Sequence, residues 1–138
     1  MTGHSSFITA LDWSDDNLWM RSTCGAHELL FWHPSKGKRD PRGASGTQQD
    51  VTWCDHTAKR GWAVQGITPP GCDGTHINAV TMDKNQALIA TGDDYGLVCV
   101  YRNPALKGHD YGKYRGHSEF VTNVQFAKGT DYLFSTGG

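Results

Sequence analysis

The sequence predicts an all-β protein assembled from repeated blocks of short strands. Its 138 residues include 17 glycines, 5 Trp, 5 Tyr and 5 Phe, a composition that suits short strands joined by tight turns. A segment near the start, GHSSFITALDW at Gly3–Trp13, is followed much later by a similar one, GHSEFVTNVQF at Gly116–Phe126. A sequence repeat of this kind constrains the architecture of the whole chain, because each copy is expected to form the same structural unit.

The first block contains three apolar runs, at residues 7–13, 18–20 and 28–32. Each run has strand length and is bounded by Gly, Asp, Asn or Ser, so three antiparallel strands are predicted. Residues 33–51 lack apolar periodicity and are predicted to form a loop or mobile insertion. Residues 52–64 are predicted to return to the sheet as one or two short strands.

The middle of the chain aligns with the first block when it is shifted by 69 residues. Ile77 then falls on Ile8, and Tyr101 falls on Trp32. Repeats therefore begin at Gly3, Gly74 and Gly116. The last two starts are about 42 residues apart, the length of one four-stranded blade of a WD40-type propeller.

These starts predict that residues 1–138 form part of one propeller, which is incomplete: two blades and the start of a third. The first blade is expected at residues 3–66, with an insertion near 33–51 that explains its greater length. A second blade is expected at 74–112, and residues 116–138 are expected to begin a third. We expect such a segment to self-associate or to require the remaining blades of its own propeller, because unpaired strand edges and apolar blade faces favour association.

Polar residues at the blade starts predict a structural network that fixes strand geometry. A His that precedes the innermost strand is expected to reach a hydroxyl, a carboxylate and a Trp of the same blade. Ala26 and Tyr95 stand where an aspartate is usual, so apolar packing is expected to contribute more, and Leu88→Ala to cost more stability than His4→Ala. The predicted blade-motif residues are Gly3, His4, Trp13, Trp32, Asp93, Asp94, Tyr101, Gly116 and His117.

Charge and cysteine content narrow the classes of function. The formal net charge is −1, which gives no indication of a nucleic-acid partner, and no apolar run is long enough to span a membrane. The four cysteines are scattered without a CxxC pair and are predicted to be free thiols in a cytoplasmic protein.

Catalytic, cofactor and metal sites are not predicted. Cys54 with His56, and His27 with His33, are the nearest approaches to ligand pairs, but zinc sites normally need four ligands at definite spacing. Asp93 and Asp94 are adjacent, and adjacent strand residues point to opposite faces. Phosphate-loop and nucleophile-elbow motifs are absent from the sequence, so the protein is predicted not to be an enzyme.

Five segments in order resemble the echinoderm microtubule-associated protein family, in the propeller region of its carboxyl-terminal half. The resemblance implies a scaffold that binds tubulin or microtubules and is associated with the cytoskeleton. The segments are GHSSFITALDW (Gly3–Trp13), ELLFW (Glu28–Trp32), DGTHINAV (Asp73–Val80), ATGDDYGLVCVYRNP (Ala90–Pro104) and YRGHSEFVTNVQF (Tyr114–Phe126).

The surface that would meet the partner is predicted from local charge. Lys36, Lys38, Arg39 and Arg42 make the insertion basic and are candidates for contact with the acidic tubulin surface. Three alternatives remain open at this point: a WD40 scaffold of another complex, a Cys/His metal protein or enzyme, and a stretch that only completes a ring.

Overall fold

The computed structural model describes residues 1–41 and 50–138. Within these residues, antiparallel strands form two four-stranded sheets and one two-stranded sheet, which confirms the all-β prediction. None of the helices among the described residues is long and apolar enough to span a membrane.

The first sheet has the strand order β1-β2-β3-β4. Its fourth strand is short and lies where the sequence predicted only a loop. Pro34–Lys36 forms one turn of 3₁₀ helix, and Gly37 at φ +60° lets the chain reverse so that it pairs with β3. The strands are β1 (Ile8–Trp13), β2 (Met20–Cys24), β3 (Leu29–His33) and β4 (Lys38–Arg39).

The prediction that residues 52–64 form one or two short strands is wrong. This segment contributes one isolated bridge, between Ser14 and Trp53, and a turn of 3₁₀ helix at Trp62–Val64. Around the bridge, Asp15 N donates to Thr52 O and Cys54 N donates to Trp13 O. Further along, the amides of Thr57 and Ala58 donate to the Asp12 carboxylate. The outer position of the first sheet is therefore taken by β4.

The second sheet has the order β5-β6-β7-β8, and the last two strands pair with each other. Residues at positive φ lie in turns between these strands, among them Gln86 between β5 and β6, Gly96 between β6 and β7, and Gly129 between β9 and β10. The strands are β5 (Ile77–Met82), β6 (Leu88–Asp93), β7 (Leu97–Arg102), β8 (Tyr111–Arg115), β9 (Val121–Phe126) and β10 (Leu133–Gly137).

The three repeats share one strand register. Leu11 pairs with Ser22, Val80 with Thr91, and Val124 with Ser135, which are the positions related by the shifts found in the sequence. A bulge also interrupts the first pair of strands at the same place in each repeat. The sequence repeat is thus a structural repeat.

The chain divides into two compact units, Met1–Trp62 and Ala63–Gly138. The second unit has the larger apolar core, in which Ile89 is fully buried and packs with Ile77 and Val80. The expectation that Leu88→Ala costs more stability than His4→Ala does not fit the structure, because Leu88 is 38% exposed and its neighbour Ile89 faces inward. In the first unit a small cluster of Met20, Leu30 and Trp32 is accompanied by buried polar groups.

Candidate functional site

The first sheet contains a chain of four hydrogen-bonded side chains, which we call the first-blade network: His4, Ser22, Glu28 and Trp32. Trp32 Nε1 donates to Ser22 Oγ over 2.7 Å, and Ser22 Oγ lies 2.6 Å from His4 Nε2. The other ring nitrogen of His4 lies 3.3 Å from the Glu28 carboxylate. A carboxylate only accepts, so His4 Nδ1–H donates to Glu28, and the Ser22 hydroxyl donates to Nε2.

Glu28 supplies the carboxylate that the sequence lacks at Ala26. Cys24 N donates to Glu28 O, and His27 adopts φ +65°, so the short turn between β2 and β3 brings the Glu28 side chain back to His4. The Ser5 amide and the Cys24 thiol donate to Glu28 Oε2 at 2.9 and 3.1 Å. These donors lower the pKa of Glu28 to about 2, so the group is ionised at neutral pH.

Gly3 and Trp32 are in close contact at one end of this network. A Cβ placed on Gly3 would lie 3.0 Å from the Trp32 ring, so a larger residue would push the indole away from Ser22. An open groove of about 420 Å³ begins here and is lined in part by His4, Ile8, Leu11 and Trp32. Trp13, also predicted as a motif residue, is 41% exposed on β1 and makes no part of the network.

A second polar group, the buried carboxylate cluster, consists of Asp12, Arg21 and His56. Arg21 Nε donates to Asp12 Oδ2 over 2.8 Å, and the Arg21 guanidinium lies 4.3 Å from the centre of the Trp53 ring. Asp12 accepts further bonds from Thr57 and Ala58. The buried ion pair, with the further donors from Thr57 and Ala58, holds residues 56–58 against β1 and β2.

His56 is buried in the same cluster, and neither of its ring nitrogens has a hydrogen-bond partner among residues 1–41 and 50–138. Burial, together with the nearby positive charge of Arg21, lowers the pKa of His56 to about 3, although Asp12 acts in the opposite direction. The imidazole is therefore neutral at physiological pH.

The second blade places its predicted motif residues in different roles. Asp93 accepts from the amides of Tyr95 and Leu97 and so closes the turn between β6 and β7. Asp94 instead accepts from the Asn78 amide group. Tyr101, at the position of Trp32, is buried and stacks on Tyr111 with ring centres 4.6 Å apart. Burial raises the pKa of the Tyr101 hydroxyl.

The third repeat has a counterpart of one contact of the first-blade network. His117 Nε2 lies 2.8 Å from Ser135 Oγ, which reproduces the contact between His4 and Ser22. Gly116 has open space where a Cβ would be, unlike Gly3. Val121 and Val124 of β9 are fully buried and pack with Val98 of the second blade.

The predicted partner-binding residues lie at the outer edge of the first sheet. Lys36 ends the 3₁₀ turn, and Lys38 and Arg39 form β4; all three are exposed. Arg42 lies outside the described residues. Neither Cys54 with His56 nor His27 with His33 forms a ligand group. Among the described residues, the metal-ligand atoms that converge within 4.8 Å of one another are those of His4, Cys24 and Glu28.

Four residues that organise these sites were not singled out from the sequence: Ser22, Glu28, Asp12 and Arg21. Asp12 and Arg21 become partners because β1 and β2 pair them directly across the sheet. An alternating strand pattern with a charge on each of two paired strands is the signal that could have identified them. Glu28 is specified by the turn that precedes β3, which the apolar pattern does not describe.

Repeated four-stranded antiparallel sheets with a His, hydroxyl and Trp network define the chain as a WD40-type propeller repeat protein. The computationally designed Ika4 protein has the same fold, with a TM-score of 0.66 and 22% identity over 99% of this chain and 89% of that one. The protein-family model described as "Echinoderm microtubule-associated protein second beta-propeller" matches residues 1–138. The chain therefore belongs to the echinoderm microtubule-associated protein family.

Proteins from distantly related organisms are similar in sequence to this chain along almost its whole length. The ciliary WD repeat-containing protein ctxp80 of Euplotoides octocarinatus is 51% identical over 138 residues, which is 100% of this chain and 19% of that protein. Human echinoderm microtubule-associated protein-like 4 and protein-like 1 are 41% and 42% identical over 99% of this chain, and over 14% and 17% of their own lengths. The chain thus spans about a fifth or less of the relatives it matches.

Proposed function

We propose that this chain is part of a non-enzymatic scaffold that associates with microtubules in the cytoplasm. The names of its relatives indicate microtubule association for the family. The observation that supports a specific contact is the exposed basic edge at Lys36, Lys38 and Arg39 of the first sheet. Arg42 continues the same basic sequence.

Geometry favours this edge for contact with an acidic surface. Lys36 and Lys38 flank the turn at Gly37, where a Cβ would have no neighbouring atom within 4 Å among the described residues. The outer strand of a sheet is also the strand most accessible to another molecule. Exposed cations of this kind attract an anionic surface over a distance of about 8 Å at physiological ionic strength, and salt screens that attraction.

Co-sedimentation with polymerised tubulin tests the proposal. We expect the full chain to enter the microtubule pellet, and we expect the quadruple variant with Lys36, Lys38, Arg39 and Arg42 changed to Glu to remain largely in the supernatant. The matched control changes four exposed cations of the second blade to Glu. These are Arg102, Lys107, Lys113 and Arg115.

The outcomes distinguish binding through the basic edge from binding that depends only on net charge. Loss of binding in the first variant alone supports the basic edge, whereas equal loss in both variants would show that only net charge matters. Unchanged binding in the first variant would reject the edge as the contact. Failure of the unmodified chain to bind would favour the alternative of a WD40 scaffold for another complex.

A second partner surface is the apolar face of β1, and we propose that another propeller sheet covers it. Ile8 and Leu11 are 53% and 48% exposed, whereas Val121 and Val124 at the corresponding positions of β9 are at most 1% exposed. Those valines are buried because a sheet with the small residue Gly92 accepts them; a Cβ at Gly92 would overlap Val121. A sheet of the same kind would therefore fit the exposed face of β1.

Sedimentation velocity tests this second proposal. We expect the unmodified chain to self-associate with rising concentration, and Leu11→Glu to shift the distribution towards monomer. Leu18→Glu is the matched control, because Leu18 is exposed in the turn between β1 and β2. A monomeric unmodified chain at high concentration would contradict self-association through this face.

A further inference from the structure

The Cys24 thiol lies beside the first-blade network but is not needed for its chain of hydrogen bonds. Cys24 Sγ lies 3.1 Å from Glu28 Oε2, and His4 Nδ1 lies 3.3 Å from the same oxygen. Trp32, Ser22, His4 and Glu28 already form a complete chain of donors and acceptors without it. The presence of sulfur at this position therefore needs a separate explanation.

Comparison with the other repeats shows that this thiol is specific to the first blade. Gly137 occupies the corresponding position in the third repeat, where His117 and Ser135 nevertheless make the same contact as His4 and Ser22. Asp93 occupies it in the second blade and closes a turn. The contact between His and Ser thus forms without sulfur.

The three ligand atoms converge, and two of their separations are close to those of a tetrahedral metal site. Zinc bonds to nitrogen, oxygen and sulfur are about 2.0 to 2.3 Å long, so ligand atoms at tetrahedral angles lie about 3.3 to 3.8 Å apart. The atoms of His4, Cys24 and Glu28 lie within 4.8 Å of one another, with two separations of 3.1 and 3.3 Å.

The surroundings of His4 also match those of a metal-bound histidine. Its second ring nitrogen, Nε2, contacts Ser22 Oγ, and Ser22 is fixed in turn by Trp32. A histidine that binds metal through one nitrogen usually donates its other N–H to an oxygen, which sets the ring orientation. Binding at Nδ1 would move the His4 proton to Nε2, and the Ser22 hydroxyl would rotate to accept it.

An ion could reach this position from solvent. His4 and Cys24 are buried, but the Glu28 side chain is 34% exposed and forms the outer wall. Three protein ligands leave one tetrahedral position for water or an exchangeable group.

We propose that His4 Nδ1, Cys24 Sγ and the Glu28 carboxylate form a binding site for one divalent cation of borderline softness, with Zn²⁺ as the preferred ion. Thiolate and imidazole ligands select such ions over magnesium or calcium. Glu28 is already ionised, so binding releases to solvent the single proton of the Cys24 thiol. The site does not depend on microtubule association.

Titration of the full chain with Co²⁺ alone, followed by competition with Zn²⁺, tests the site. We expect one Co²⁺ per chain, with the charge-transfer absorption of a sulfur-to-cobalt bond and the intense visible bands of tetrahedral Co²⁺; Zn²⁺ should abolish both. Cys24→Ser should remove the charge-transfer absorption, and Glu28→Gln should weaken Co²⁺ binding at least tenfold. Cys99→Ser, which changes a buried thiol of the second blade, should leave both unchanged.

A further variant keeps the test decisive if Cys24→Ser does not fold. Cys54→Ser/Cys72→Ser removes the two exposed thiols, which are the obvious places for adventitious binding. We expect this double variant to keep the full cobalt absorption. Loss of the absorption in the double variant, its persistence in Cys24→Ser, or its absence from the unmodified chain would each overturn the site.

Discussion

The two complete blades of this chain have the same strand order and register but are stabilised in different ways. The first blade buries charged and polar groups, with the first-blade network on one side and the carboxylate cluster of Asp12, Arg21 and His56 on the other. The second blade has an extensive apolar core around Ile89. A blade repeat therefore specifies backbone geometry, while the interactions that stabilise it can differ between copies.

This difference follows from single positions within the repeat. Trp32, with its indole N–H, is replaced by Tyr101, and Glu28 is replaced by the apolar Leu97. The second blade also packs the segment near Val64 and Ile67 on its sheet, which supplies apolar surface. There Gly66 donates to Ala105 O, and a Cβ at Gly66 would overlap the backbone of Leu106.

The largest effect is expected from removing the charge of Asp12. Asp12→Asn keeps the shape of the side chain but leaves the Arg21 guanidinium buried without its counter-charge. Breaking a buried pair in this way costs about 3 to 5 kcal/mol. Urea unfolding measures the loss, and Asp131→Asn at an exposed position is the control. A loss of less than about 1 kcal/mol would show that the cluster does not stabilise the first blade.

In the second blade the largest expected effect comes from the apolar core. Ile89→Ala removes a fully buried side chain and should cost about 2 to 5 kcal/mol. Leu88→Ala, one residue away and 38% exposed, is the matched control and should cost less than about 1 kcal/mol. Urea melts of the two variants should show this order; the reverse order would place Leu88 in the core.

His4 and His117 allow the network itself to be compared between repeats. His4→Ala removes the contacts of His4 with both Ser22 and Glu28 and should cost about 1 to 3 kcal/mol. His117→Ala removes an exposed contact with Ser135 and should cost less than about 1 kcal/mol. Differential scanning fluorimetry of both variants tests this, and equal losses would contradict a stabilising role specific to the first blade.

The sequence predicted the fold because strand length, turn residues and the repeat all reflect backbone geometry. Ile8, Ile77 and Val121 were aligned from the sequence. In the structure each of them pairs with the equivalent residue of the next strand in its own repeat. The sequence did not predict β4, because Lys38 and Arg39 show no alternation of apolar and polar residues. Their pairing with β3 depends on the turn at Gly37.

The candidate sites were less predictable because their members come from separate segments. His4, Cys24 and Glu28 meet only after β1 and β2 pair and the turn before β3 reverses, so a search for closely spaced ligand pairs misses them. Leu88 was expected to contribute more packing than it does, because an apolar run does not show which of two neighbours faces inward. The structure decides this by placing Ile89 opposite Tyr101 within the sheet.

Acid should weaken the first blade through His56. The pKa of His56 is lowered in the folded protein to about 3 from an ordinary value of 6.5, so the unfolded chain binds the proton first. The resulting stability is complete above about pH 6.5 and is lost as the pH falls towards 3. Between pH 7 and pH 5.5 the expected loss is about 1 kcal/mol.

Hydrogen exchange measured by mass spectrometry at pH 7 and pH 5.5 tests most directly whether the two blades are stabilised by different interactions. After correction for intrinsic exchange rates, peptides covering β2 and β3 should lose protection about fivefold or more at the lower pH, while peptides covering β6 and β7 should keep theirs. His56→Gln should remove the difference between the two pH values in the first blade. Equal pH dependence in both blades, or none in the first, would contradict the account.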